Sequence, residues 1–218
     1  KVYTFRLRNA SFHNGKPLAA DDVVYSLNRL RDPKVASPGS WVVEDIASLR
    51  TVDASTVEIV LKQPNSTFLS LLAMPFCSVV PKDEITLTKS PVGTGPFKFH
   101  VWHYGEKLVL HKNETYWRID GNGAQLPYLD GISISFLTDQ QSTFLEYLRG
   151  NFDFLPNLDP SFKDDLLTKQ GALQERYTAE HTLLRSPFLN TEYLVFNATR
   201  PLPKDLRWAI NASIDRKE

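Results

Sequence analysis

Six residues near the middle of the chain, Pro91-Val92-Gly93-Thr94-Gly95-Pro96, constrain its fold more than any other stretch. Each proline lacks an amide donor and restricts the residue before it, while glycine favours turn geometry. A helix interior or a central strand does not tolerate that combination. The Gly-Lys-Ser/Thr ending of a phosphate loop is absent, so the segment reads as a turn joining two lobes. Gly93 and Gly95 then serve backbone geometry, and no nucleotide binding is expected of them. A chain of 218 residues accommodates one large domain or two small ones.

On the N-terminal side, Tyr3, Phe5 and Leu7 alternate with Thr4, Arg6 and Arg8 as in a strand. Asn14-Gly15 supplies a turn. A helix is predicted from about Ala19 to Arg31, with Val23, Val24, Leu27 and Leu30 on one stripe and Asp21 and Asp22 favoured by the macrodipole of its first turn. Asp32-Pro33 stops it, residues 33–40 read as an irregular loop, and a short helical stretch at 43–47 leads into a hairpin. The second strand of that hairpin is clear, with Val57, Ile59 and Leu61 on one face. Residues 68–74 form a short apolar helix ended by Pro75.

Beyond the turn, a second hairpin is predicted from 97–102 and 107–112, turning at Tyr104-Gly105, followed by a strand through Ile132, Ile134 and Phe136. A helix at 140–149 is closed by Gly150. A short strand at Phe152 and Phe154, a helix opened by Asp159-Pro160 and ended by Gly171, a strand at 193–197 and a helix from Lys204 complete the pattern. Strands, hairpins and helices alternate irregularly, which defines a mixed α/β (α+β) fold rather than a doubly wound sheet. The chain opens inside one alternating pattern and closes on Asp215-Arg216-Lys217-Glu218 in mid-helix, so both ends read as cut.

Lysine plus arginine balances aspartate plus glutamate at 25 each. That gives no electrostatic footprint for a phosphate backbone, so no nucleic-acid partner is expected. The longest apolar run, 68–80, is too short to span a bilayer and is broken by Ser70, Pro75 and Ser78. Cys77, the one cysteine, excludes an intrachain disulfide and reads as a buried structural thiol. His100 and His103 point to opposite faces of a strand, so with His111 they read as histidines on a half-exposed hairpin and no metal site is assigned. There is no Ser–His–Asp order and no G-x-S-x-G elbow, and nothing in the chain demands catalysis. Five Asn-x-Ser/Thr sequons, at Asn9, Asn65, Asn113, Asn197 and Asn211, would be glycosylation acceptors only in a eukaryotic source. Trp41 follows a Pro/Gly/Ser loop, a setting in which a large aromatic lines a binding cleft.

Several segments share the order and spacing of a known family: Tyr3-Thr4-Phe5-Arg6-Leu7-Arg8, Phe12-His13-Asn14-Gly15-Lys16-Pro17-Leu18, Asp21-Asp22-Val23-Val24-Tyr25-Ser26, Pro91-Val92-Gly93-Thr94-Gly95-Pro96-Phe97, and Asn113-Glu114-Thr115-Tyr116-Trp117. Leu148-Arg149-Gly150-Asn151-Phe152-Asp153, Tyr193-Leu194-Val195-Phe196-Asn197, Leu206-Arg207-Trp208-Ala209-Ile210 and Ile214-Asp215-Arg216 continue the match. Together they resemble the peptide-binding family of bacterial extracellular solute-binding proteins, the receptors of oligopeptide and dipeptide ABC importers. Two departures are Ala19, where the family usually has a threonine cap, and Trp208, which replaces a polar residue.

The resemblance implies a fragment, less than half of a full-length member with a periplasmic-binding-protein-like (type II-like) lobe. It matches residues 1–88 to most of a second domain, 89–190 to part of a first domain, and 191–218 to the crossing strand and first helix of a third. It also implies binding without chemistry or cofactor. Extended oligopeptides are captured in an interdomain cleft, closure follows, and the cargo is delivered to an ABC-importer permease in the membrane. Of the residues present, Trp41, Tyr193 and Asn197 are the expected ligand contacts. The implied location is the periplasm or the outer face of the cytoplasmic membrane, through a lipid anchor outside these residues. The same fold also serves receptors for nickel complexes, haem or oligosaccharides, and the sensor half of some transcription regulators.

Overall fold

In the computed structural model, residues 1–82, 89–156, 159–187, 190 and 193–215 are described. They fall into two units, Lys1–Phe152 and Asp153–Glu218.

The first unit contains two antiparallel three-stranded sheets. In one, β1 (Val2–Arg6) and β2 (Ile46–Asp53) flank β3 (Thr56–Leu61), giving the order β1-β3-β2. Register sets Tyr3 against Ile59, Phe5 against Val57, and Leu49 against Ile59. Since side chains alternate along a strand, those residues share one face with Leu61. Val57, Ile59 and Leu61 are almost wholly buried, as their alternation predicts. Helix α1 (Ala20–Arg29) and α2 (Phe68–Leu72) contribute Leu27 and Phe68 to the same cluster, and a 3-10 turn at Ser40–Val43 adds Val42 and Val43. That turn precedes the predicted 43–47 helix, and β2 already begins at Ile46, where the ladder to Leu61 takes over the backbone.

The second sheet has the order β4-β5-β6, from β4 (Phe97–His103), β5 (Lys107–Lys112) and β6 (Gly131–Ser135). Gly105 takes φ +75° in the turn between β4 and β5, a conformation that favours glycine. Phe99, Leu110 and Ile132 face one another across the sheet, as do Trp102, Leu108 and Ile134. Helix α3 (Gln140–Leu148) ends in a Schellman motif: Gly150 N–H donates to Tyr147 O and Asn151 N–H to Glu146 O, with Gly150 at φ +78°. The predicted glycine stop is therefore observed there.

In the second unit a 3-10 turn at Pro160–Phe162 runs into α4 (Lys163–Leu166), and α5 spans Lys204–Ser213. Several expectations fail from Phe152 onward. Gly171 does not close a helix; it makes the turn of a Leu167–Leu173 bridge, with Gly171 N–H donating to Thr168 O. Residues Phe152, Phe154 and 193–197 form no strand, because alternation alone makes none without a partner ladder. Helix α5 ends at Ser213, with Ile214 extended, whereas the pattern predicts continuation. Residues 216–218, part of that prediction and of the Ile214-Asp215-Arg216 motif, lie outside the described residues, as does position 88, the predicted boundary.

Candidate functional site

The segments that resemble the family meet in space through polar knots in the first unit. His13 N–H donates to Gly93 O at 2.8 Å, and its ring Nδ1 accepts from Gly93 N–H at 3.3 Å. Ring Nε2 lies 3.0 Å from Gly95 O, so the network assigns the neutral Nε2–H tautomer. Asn113, 1% exposed, donates from Nδ2 to the same Gly95 oxygen and from its backbone to Pro96 O. Its Oδ1 accepts both the amide and the hydroxyl of Thr115. The Arg8 guanidinium lies 4.5 Å from the centre of the Trp117 ring. The central turn is thus fixed by His13 on one side and Asn113 on the other.

A second knot forms at the start of α1. Ala19 is the N-cap, extended at φ −120° and ψ 161° and without a side-chain acceptor. The Asp22 carboxylate accepts Ala19 N–H at 2.9 Å and Lys82 N–H at 2.8 Å. Ser26 Oγ accepts Val80 N–H and donates to Asp22 O. Asp22 therefore does more than complement a helix dipole, because it also holds a segment 60 residues away. Asp21 accepts the Thr51 hydroxyl. Among the described residues no buried side-chain nitrogen or oxygen lacks a partner. These knots are satisfied from within and have a structural role.

Trp41 is different. Its neighbours Val42 and Val43 are buried while Trp41 is 48% exposed. Arg31 ties down the end of the loop by donating to Val43 O and Ile46 O at 2.8 and 2.6 Å. Phe76 packs so tightly on Gly39 that a Cβ there would lie 2.4 Å from the ring. A rigid loop thus presents an exposed aromatic, the arrangement a ligand-facing residue needs. In the second unit, Tyr193 is exposed and Asn197 Oδ1 accepts the amide and hydroxyl of Thr199. Asn65, Asn113 and Asn197 all make this turn with the threonine two residues on, giving three of the five sequons a local role. Lys204, Arg207, Trp208 and Asn211 share one face of α5 and line a cavity of about 280 Å³.

Burial raises the Cys77 thiol, which keeps it protonated within the apolar cluster. Hydrogen bonds from Ser142 lower Asp139, the N-cap of α3. Asn151, and then Arg149, lower Glu146 at its other end. His100 and His111 meet across β4 and β5, a pairing that spacing along one strand does not reveal. No group of three or more His, Cys, Asp or Glu among the described residues is placed to hold a metal ion. No helix among them is long and apolar enough to cross a membrane.

This mixed α/β architecture is that of the periplasmic binding proteins, of which it forms part. The chain belongs to the family described as "Bacterial extracellular solute-binding proteins, family 5 Middle", whose profile matches residues 1–218. It is 30% identical over 99% of its length to heme-binding protein A of Haemophilus influenzae, covering 42% of that protein. It is 35% identical over 54% of its length to the periplasmic oligopeptide-binding protein OppA of Salmonella typhimurium, covering 26% of it. The solved structure of AgaA with agropinic acid, from A. tumefaciens R10, matches 76% of the chain at 30% identity and a TM-score of 0.69, and the match covers 34% of AgaA. The chain therefore spans well under half the length of these relatives.

Proposed function

We propose that this chain is part of the substrate-binding receptor of a peptide ABC importer, in the periplasm or, through a lipid anchor, on the outer face of the cytoplasmic membrane. It captures extended oligopeptides in an interdomain cleft, closes around them and delivers them to the permease without chemistry. The family match along all 218 residues carries the reading, and the OppA relationship favours peptide. Residues 1–88, 89–190 and 191–218 correspond to the second, first and third domains of a full-length receptor. Trp41, Tyr193 and Asn197 face the ligand. A second reading, haem as cargo, has support from the relationship to heme-binding protein A across 99% of the chain.

Contacts from the rest of such a receptor supply much of its affinity, so peptides bind these 218 residues with a Kd of about 1 mM or weaker. Titration of di- to pentapeptides, followed by NMR, should move the Trp41 indole resonance in fast exchange. Trp41→Ala should weaken binding about tenfold, a change of about 1.4 kcal/mol. No peptide-dependent shift at tens of millimolar would overturn the peptide reading, and saturable hemin binding would establish the alternative.

A further inference from the structure

The solvent face of the second sheet carries a histidine pair that the receptor reading does not use. In β4, Lys98 faces His111 and Phe99 faces Leu110, but Val101 faces Val109, so one extra residue, His100, is inserted. This β-bulge re-aims a side chain that regular alternation would place differently. The His100 ring stacks on that of His111, with centroids 4.0 Å apart and planes 17° apart. Both residues are exposed. Gly131 faces His111 from β6 and puts no side chain over its flank; a Cβ there would sit 2.8 Å from Leu110 O. The pair is thus held by two hydrogen-bonded strands and open to solvent.

Imidazole nitrogen is the common ligand of zinc, copper and nickel, at roughly 2.0–2.1 Å. Two such ligands on neighbouring positions of one ion have nitrogens roughly 2.8–3.4 Å apart, by that bond length and the angles of octahedral or tetrahedral sites. In the stack the in-plane lone pairs of the two rings run nearly parallel, so binding opens the stack by rotation of the two exposed side chains until one nitrogen of each ring points at the same ion. We propose that His100 and His111 together bind one divalent transition-metal ion, of the Zn²⁺, Cu²⁺ and Ni²⁺ class, on the outer face of the β4–β5 hairpin. Water completes the coordination, because no third protein ligand from the described residues joins the pair. The Lys98 ammonium stem, directly opposite His111, opposes a cation and limits affinity. His103 takes no part, since it faces Lys107, roughly 13 Å along β5 from His111.

Calorimetric titration of ZnCl₂ into the 218-residue chain in a non-chelating buffer tests this. One Zn²⁺ per chain is expected. Either His100→Ala or His111→Ala should lower the affinity by about tenfold or more, whereas His103→Ala should leave it unchanged. Lys98→Gln should tighten binding, because it removes the cation opposite His111. All four side chains lie on a solvent-facing sheet surface, and circular dichroism spectra that superimpose on the parent's would show that the variants fold. Absence of binding at millimolar Zn²⁺, or a site that survives the His100→Ala/His111→Ala double substitution, would overturn the proposal.

Discussion

The two sheets of the first unit have the same strand count and the same antiparallel pairing, yet only one has a closed core. The central strand β3 buries Val57, Ile59 and Leu61 beneath α1, Phe68, Val42 and Val43. In the other sheet, Leu108 and Leu110 of the central strand β5 are only half-buried, and Trp102 and Ile134 beside them are 53% and 41% exposed. Both sheets have an apolar face by alternation. The difference lies in what covers it. The first sheet is covered by sequence-local elements, whereas no comparable cover lies on the second among the described residues. Alternation therefore identifies which face of a sheet is apolar but not whether the face is closed, because closure depends on which other elements pack against it.

The largest contrast should appear when one aromatic is deleted from each sheet. Phe68→Ala removes a fully buried ring and should cost about 3–5 kcal/mol, while Trp102→Ala should cost about 1 kcal/mol or less. Urea denaturation followed by far-UV circular dichroism would measure both, and equal costs would break the comparison.

A smaller contrast separates two copies of one turn. Asn113 and Asn197 make the same bonds to the threonine two residues on, but only Asn113 is buried and also holds Gly95 O. Asn113→Ala removes a buried side chain together with one of the two donors on Gly95 O, and should cost about 1–3 kcal/mol. Asn197→Ala, at an exposed turn, should stay within about 0.5 kcal/mol.

Ala19→Thr sharpens the account of the first sheet from the opposite direction. It supplies the acceptor that the α1 N-cap lacks, beside an Asp22 carboxylate already in place, and should stabilise by about 0.5–2 kcal/mol. An unchanged denaturation midpoint would contradict the cap.

The smallest effect expected is on α3. Asp139 and Glu146 titrate below their ordinary values of 3.8 and 4.5, so their stabilisation is complete above those values. It is lost as the pH falls through the lowered folded-state values. Hydrogen exchange at pH 3 should show α3 opening before β3, and the reverse order would contradict the assignment.

Local signals in the sequence were well expressed in the fold. The Val57-Ile59-Leu61 alternation, the turn at Gly105 and the stop at Gly150 all depend on neighbours within a few residues. The knots were not legible, because His13 meets Gly93 and Asp22 meets Lys82 only after the chain has folded back over 80 and 60 residues. The His100–His111 pair is not legible either, because a single inserted residue in β4 changes which side chains share a face. In the second unit, alternation at 193–197 promised a strand but has no partner ladder there. Of the proposed ligand contacts, exposure of Trp41 was the legible part, through the Pro/Gly/Ser loop before it.

Amide hydrogen exchange of β3 against β5 measures the central difference most directly, since both are the middle strands of their sheets. If the first sheet is closed and the second open, the amides of Val57 and Ile59 exchange only by global unfolding. Those of Leu108 and Leu110 then exchange by local opening, roughly a hundredfold or more faster. Equal protection of the two strands would show that both sheets open as one unit and would contradict the account.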